Sequence, residues 1–247
     1  MKKTIIALAL AASSLPALAQ KAPEPDYTLS ANVGLFSDYR FRGLSQTGTK
    51  PALQGGFDFA HKSGLYAGNW NSSINWVEEG GYTTGNSSGL ESDFYVGYKT
   101  ELGGIGVDVG NLFYYFAGEG VDSLVDTNEI YLGLSYGPFS LKTSYTTSSG
   151  YFSTAGKGTI YYNLSASFPV SETVALKASY GYTGGKEDMA DFKGTDYSVG
   201  VAIDLGDGWG LGLSYVGAAG DYKEFAVDGA QSDSAKSAAV VSISRSF

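Results

Sequence analysis

One feature constrains this chain more than any other. Apolar and polar residues alternate with period two through nearly its whole length. Successive side chains of a strand point to opposite faces, so this pattern belongs to strands whose two faces meet different media. From Thr195 to Leu205, Tyr197, Val199, Val201, Ile203 and Leu205 oppose Asp196, Ser198, Gly200, Ala202 and Asp204. From Leu90 to Thr100, Leu90, Phe94, Val96 and Tyr98 oppose Glu91, Asp93, Gly97 and Lys99. From Leu65 to Trp76, the alternation assigns Tyr66, Gly68, Trp70, Ile74 and Trp76 to the apolar face and Asn69, Asn71, Ser73 and Asn75 to the polar one. Twelve such segments are legible: 27–39, 51–60, 65–77, 90–102, 105–116, 126–136, 139–147, 159–168, 174–183, 195–205, 209–217 and 236–247. Ten residues at a rise of ~3.4 Å, tilted by ~45°, span about 24 Å, close to the ~25 Å apolar band of an outer-membrane barrel.

The connections alternate as regularly as the residues. Short ones fall at His61–Gly64, Gly103–Gly104, Gly137–Pro138, Pro169–Thr173 and Gly206–Gly208, and carry the Gly and Pro that tight turns use. Long polar ones fall at 40–50, 78–89, 117–125, 148–158, 184–194 and 218–235. Short turns on one side and long loops on the other are the rhythm of a transmembrane antiparallel up-and-down β-barrel. An even strand count places both termini on the periplasmic side. An open sheet edge is too costly in lipid, so the last strand is expected to pair with the first.

The N-terminus carries an address. Lys2 and Lys3 precede the apolar run Ile5–Ala12, and Ala17 and Ala19 form an Ala-x-Ala cleavage pattern. Residues 1–19 therefore read as a secretory signal peptide, 20–26 as a short periplasmic leader, and 27–247 as the barrel. Loss of the two lysines takes the net charge from −9 to −11. That acidity excludes nucleic acid as a partner. There is no cysteine and one histidine, which leaves no disulfide framework and no cysteine-ligated metal; neither metal nor cofactor is expected. Glycine (35) and tyrosine (19) are both abundant at a mean hydropathy of −0.08, as suits a wall between lipid and water.

Aromatic residues near strand ends, Tyr66, Trp76, Tyr98, Tyr136, Tyr145, Phe168, Tyr182, Trp209 and Tyr215, are assigned to the lipid-facing girdles. The terminal Phe247 resembles the targeting signal of outer-membrane barrels and implies the barrel assembly machinery as a partner, with lipid and lipopolysaccharide around the wall. The stretches Leu29–Gln46, Pro51–Asp58 and Gly64–Trp70 resemble the TorF-type porin family. That resemblance implies an outer-membrane barrel conducting small solutes.

Parity then assigns Asp38, Arg40, Arg42, Asp58, Glu91, Asp93, Lys99, Asp108, Glu129, Lys142, Lys177, Asp196 and Asp204 to the lumen. Acids outnumber bases there, and charged linings select ions by sign. The expected function is a porin-like channel for small hydrophilic solutes or ions, weakly cation-preferring. The alternative is a non-conducting structural or adhesin-like barrel. Asp38, Arg40 and Arg42 sit at the outer end of the first strand, either as a constriction or anion clamp, or in salt bridges to Asp58 or another lumen acid on the second strand. Acidic loop residues Glu119, Asp122, Asp126, Glu187, Asp188, Asp191, Asp221, Glu224 and Asp228 offer contacts to cations that bridge lipopolysaccharide, without the spacing of an EF-hand. Barrel hydrolases need a histidine beside their nucleophile, and the single His61 falls in a short turn, so no enzyme is expected.

Overall fold

The computed structural model describes residues 25–82, 89–118, 125–152, 154–185, 193–220 and 233–247. The signal peptide with Ala17 and Ala19, most of the leader, and the loop acids Glu119, Asp122, Glu187, Asp188, Asp191, Asp221, Glu224 and Asp228 lie outside the described residues.

Twelve antiparallel strands close into a barrel. They are β1 (Tyr27–Phe36), β4 (Ala52–His61), β5 (Leu65–Ser73), β6 (Leu90–Leu102), β7 (Ile105–Phe116), β8 (Thr127–Tyr136), β9 (Phe139–Thr146), β12 (Ile160–Pro169), β13 (Val174–Gly184), β14 (Gly194–Gly206), β15 (Trp209–Gly220) and β16 (Ala238–Ser246). Two small hairpins, β2 (Arg40–Phe41) with β3 (Leu44–Ser45) and β10 (Gly150–Tyr151) with β11 (Thr154–Ala155), and a four-residue helix α1 (Trp76–Glu79) accompany them. Each barrel strand pairs with its sequence neighbour in the barrel. The seam runs between the first and last, from Asn32 opposite Ser246 to Phe36 opposite Ser242. Phe247 continues it by exchanging backbone hydrogen bonds with Ala31. Arg245, two residues earlier, lays its guanidinium against the Trp209 and Phe247 rings at 5.2 and 5.0 Å.

The outer face is a band of Leu, Val, Ile and Phe, with Leu29 and Phe57 each more than two-thirds exposed. Tyr98, Tyr136, Tyr145, Phe168, Tyr182, Trp209 and Tyr215 stand exposed on it. Tyr66 and Trp76 do not. Asn69 pairs with the outward Phe57 and Phe94, so on β5 the asparagine face points outward and Tyr66, Gly68 and Trp70 point into the lumen. The sequence-based parity of this strand is therefore reversed. The outward amides satisfy one another: Asn71 donates to Asn69, Ser92 donates to Asn71, and Asn69 donates to the Asp93 carbonyl. Asn111 and Asn128, also outward, donate reciprocally to each other at 2.8 and 3.0 Å. Trp76 lies beyond the end of β5, in α1, buried against Phe116 at 5.2 Å between ring centroids.

Part of the abundance of glycine and tyrosine has a common structural cause. Inward tyrosines lie flat across glycines of the neighbouring strand: Tyr95 over Gly68, Tyr66 over Gly97, Tyr131 over Gly110 and Tyr161 over Gly181. A side chain at any of these glycines would overlap the ring. The short turn Gly103–Gly104 uses glycine differently, since both residues adopt positive φ, as a two-residue hairpin loop of this hand requires.

At Gly68 the three nearest atoms an added methyl would meet all belong to the Tyr95 side chain. Gly68→Ala is expected to lower barrel stability by about 1–3 kcal/mol. In a Tyr95→Ala background the same substitution is expected to be close to neutral. Denaturant unfolding midpoints of the refolded barrel check both.

Candidate functional site: the lumen

The first strand ends at Phe36, not Asp38, so Asp38, Arg40 and Arg42 are not strand residues at its rim. The chain turns inward instead. Residues 40–45 form the β2–β3 hairpin, whose two loop residues, Arg42 (φ 47°) and Gly43 (φ 81°), are both left-handed. Gly43 packs against the Gly217 carbonyl of β15, where a Cβ would collide. That contact seats the hairpin tip beside β15, two strands from β1 in the closed order.

Its charges are locked. Asp38 accepts from Arg40 Nε at 2.6 Å and from Ser45 Oγ at 2.6 Å. Arg40 Nη1 donates to the carbonyls of Gly43, Ser234 and Lys236. Arg42 Nη2 donates to both Glu129 carboxylate oxygens, at 2.7 and 2.8 Å, and Nη1 donates to the Tyr151 hydroxyl at 2.6 Å. The Arg42 and Glu129 side chains are 6% and 2% exposed. The Arg42 guanidinium also lies 4.1 Å from the Tyr161 ring centroid on β12 and 4.8 Å from that of Phe41. The arginine partner is therefore Glu129 on β8. Asp58, the partner considered from sequence, accepts from Tyr95 instead.

Around this pair an aromatic cluster fills the half of the lumen nearer the long loops. Phe41 contacts Tyr114 and Phe152, Phe152 contacts Phe116 and Tyr151, and Tyr39 contacts Trp70. Ala52, Ile74, Val77 and Val125 complete it. Tyr39, on the folded-in segment, donates to Glu91 at 2.8 Å. Burial, reinforced by Glu91 and Asp93, pushes its phenol well above the usual tyrosine range, so it stays a donor.

The half nearer the short turns holds a cavity of about 680 Å³. Asp58, Tyr66, Trp70, Asp93, Tyr95, Lys99, Asp108, Leu112, Tyr131 and Lys142 line it, and it opens at the turn between β4 and β5. Tyr66 donates to Asp108 and contacts the Tyr131 hydroxyl. Lys99 lies 3.8 Å from Asp108 and 4.5 Å from the Tyr66 ring centroid, and Lys142 lies 4.0 Å from that of Tyr131.

Elsewhere on the inner wall Asp196 accepts from Tyr161 at 3.1 Å. Lys177 faces inward on β13, exposed opposite Gly200. Asp204 accepts from the Gly206 amide in the turn before β15. Asp126, one of the loop acids, accepts from the Phe116 amide. His61 ends β4 and its Nδ1 bonds Ser63 within the turn. The tyrosines of the lumen were not singled out from sequence as functional. For Tyr66, Tyr95 and Tyr131 the signal was the glycine opposite each of them on the next strand.

Residues 20–247 match a family model described as "Bacterial protein of unknown function (Gcw_chp)". Among solved structures, the barrel is similar to one titled "KdgM porin", at 9% identity and TM-score 0.53, with 88% of this chain and 99% of that chain covered. A "NanC porin" structure is similar at 11% identity and TM-score 0.55, with 89% and 99% covered. At these identities the likeness is one of fold. No curated protein matches the chain at a significant level.

Arg42→Met leaves Glu129 buried without a counter-charge and is expected to cost about 3–5 kcal/mol. Arg42→Met with Glu129→Met is expected to recover most of that loss. Amide exchange across residues 38–47, measured beside the unfolding midpoint, is expected to speed up in the single variant and slow again in the double one.

Proposed function

The chain belongs to the Gcw_chp family of bacterial proteins of unknown function, and from that premise we propose that it is a porin-like channel of the Gram-negative outer membrane. The single observation that carries this reading is the closed barrel itself, apolar outside and polar and charged inside, with a solvent-sized cavity in its lumen. Such a wall suits lipid on one side and water on the other. The resemblance of residues 29–76 to TorF-type porins, and the fold shared with two porins, point the same way. Secretion by the N-terminal signal, both termini in the periplasm and lipopolysaccharide around the loop end follow from this placement.

The permeant species are small hydrophilic solutes or ions, with cations preferred. The arginines at the loop end are neutralised by their own carboxylates, while Asp58, Asp93 and Asp108 line the open half against two lysines. The aromatic cluster favours a second reading, a barrel that does not conduct until the hairpin moves. The reading assigns no catalysis: the fold is shared with porins, and His61, at the cavity lining, bonds Ser63 within its own turn.

Planar-bilayer recordings on the refolded barrel separate these readings. The wild type is expected to conduct weakly, with a reversal potential in a salt gradient of the sign for cations. Arg42→Met is expected to raise conductance severalfold by loosening the hairpin. Silence in both proteins leaves the structural or adhesin-like barrel as the function.

A further inference from the structure

In the open half of the lumen each phenol proton has a taker. Tyr95 gives its proton to Asp58 at 2.5 Å and Tyr66 gives its own to Asp108 at 2.5 Å. Because Tyr66 has only one proton, its contact with the Tyr131 hydroxyl takes the Tyr131 proton. What these residues still offer to the cavity is acceptor oxygen and aromatic face. A ligand that fits must bring donors and positive charge.

The wall already contains a worked copy of that fit. Tyr66 lies across Gly97, bonds Asp108, and receives Lys99, whose ammonium sits 4.5 Å from the ring centroid and 3.8 Å from the carboxylate. Two strand positions away the arrangement repeats. Tyr95 lies across Gly68 and bonds Asp58. Here the third member is missing: among the described residues no lysine or arginine pairs with Asp58 or stacks on Tyr95. Asp93 lines the same cavity, is 6% exposed, and its Oδ1 accepts no hydrogen bond from the protein. An unfilled ring–carboxylate pair beside a buried acceptor is a site for an ammonium group.

We propose that Tyr95 and Asp58, with Asp93 behind them, bind the ammonium group of a small organic cation, in the position that Lys99 occupies on Tyr66 and Asp108. The inference rests on the same lumen as the channel reading and gives the solute a chemical class, an aliphatic amine. Lys142, held over Tyr131, guards the opposite wall with positive charge and directs the cation to the Asp58 side.

The test uses spermidine as the probe, titrated into the full refolded barrel in detergent at ~0.15 M salt, where exposed charges are largely screened. Calorimetry and tryptophan fluorescence, to which Trp70 in the cavity wall contributes, report binding. Saturable binding of one equivalent is expected, with none for glucose or acetate. Asp58→Asn is expected to weaken it at least tenfold. Lys99→Met empties the ammonium position of the complete triad and is expected to add a second equivalent. Heat-modifiable migration on gels shows that each variant is folded. Absence of saturable binding to a folded wild type overturns the proposal, as does spermidine binding unchanged by Asp58→Asn or saturable glucose binding. Binding needs no conduction, so a barrel that binds spermidine but stays silent in bilayers sinks the channel and keeps the site. A cation-selective barrel without binding does the reverse.

Discussion

The bidentate contact between Arg42 and Glu129 organises the lumen. Arg42 belongs to a hairpin that leaves the first strand, and Glu129 belongs to β8, the sixth strand of the wall in chain order, so one interaction fixes the hairpin across the barrel. A guanidinium is suited to this because Nη2 serves both carboxylate oxygens and Nη1 the Tyr151 hydroxyl while its face stacks on Phe41 and Tyr161. A lysine would supply the charge but not the fixed spread of donors or the stacking. Once the pair is placed, the surrounding rings have one arrangement: Phe41 on Tyr114, Phe152 between Phe116 and Tyr151. The buried charge is costly in isolation, and the aromatic packing around it supplies the compensating burial.

Away from the hairpin the wall relies on a different device. A twelve-stranded barrel has more interior than its strands can fill with aliphatic side chains facing water. Tyrosines laid flat over glycines cover the backbone of the neighbouring strand, and their hydroxyls stay at carboxylates of the inner wall. Tyr95–Asp58, Tyr66–Asp108 and Tyr161–Asp196 are three instances of one pattern. Part of the joint enrichment in glycine and tyrosine is its compositional trace.

The strands and their order were legible in the sequence because period two and alternating connection lengths are both consequences of closure in a two-medium wall. The twelve segments fall within a few residues of the observed strands. The facing of β5 was not legible. Tyr66 and Trp70 are apolar enough to read as lipid-facing, and Asn69 and Asn71 polar enough to read as lumenal, yet the register with Phe57 and Phe94 reverses both. Hydropathy cannot distinguish a ring whose hydroxyl needs a carboxylate from one that sits at a headgroup. Nor can it reveal that amides on the apolar outer face satisfy each other along the strand, as Asn69 and Asn71 do. Arg40 and Arg42 kept the strand parity of the residues before them, which hid the turn. The local signal was the Arg42-Gly43 pair, two residues flanked by equal arms.

These two devices divide the lumen by electrostatics as well as by shape. At the loop end, each carboxylate that meets an arginine is neutralised within the protein: Asp38 by Arg40 and Glu129 by Arg42. At the turn end, neutralisation is incomplete, because Lys99 serves Asp108 while Asp58 has only a phenol. A phenol hydrogen bond orients a carboxylate without cancelling its charge. Within the open half the Asp58 carboxylate therefore stands against the Tyr95 face without a cation beside it among the described residues. In the proposed channel a solute entering there would meet the ring–carboxylate pair before the hairpin, so affinity in the cavity and resistance at the Arg42–Glu129 pair would act in series, and the chemistry of the first would decide what reaches the second.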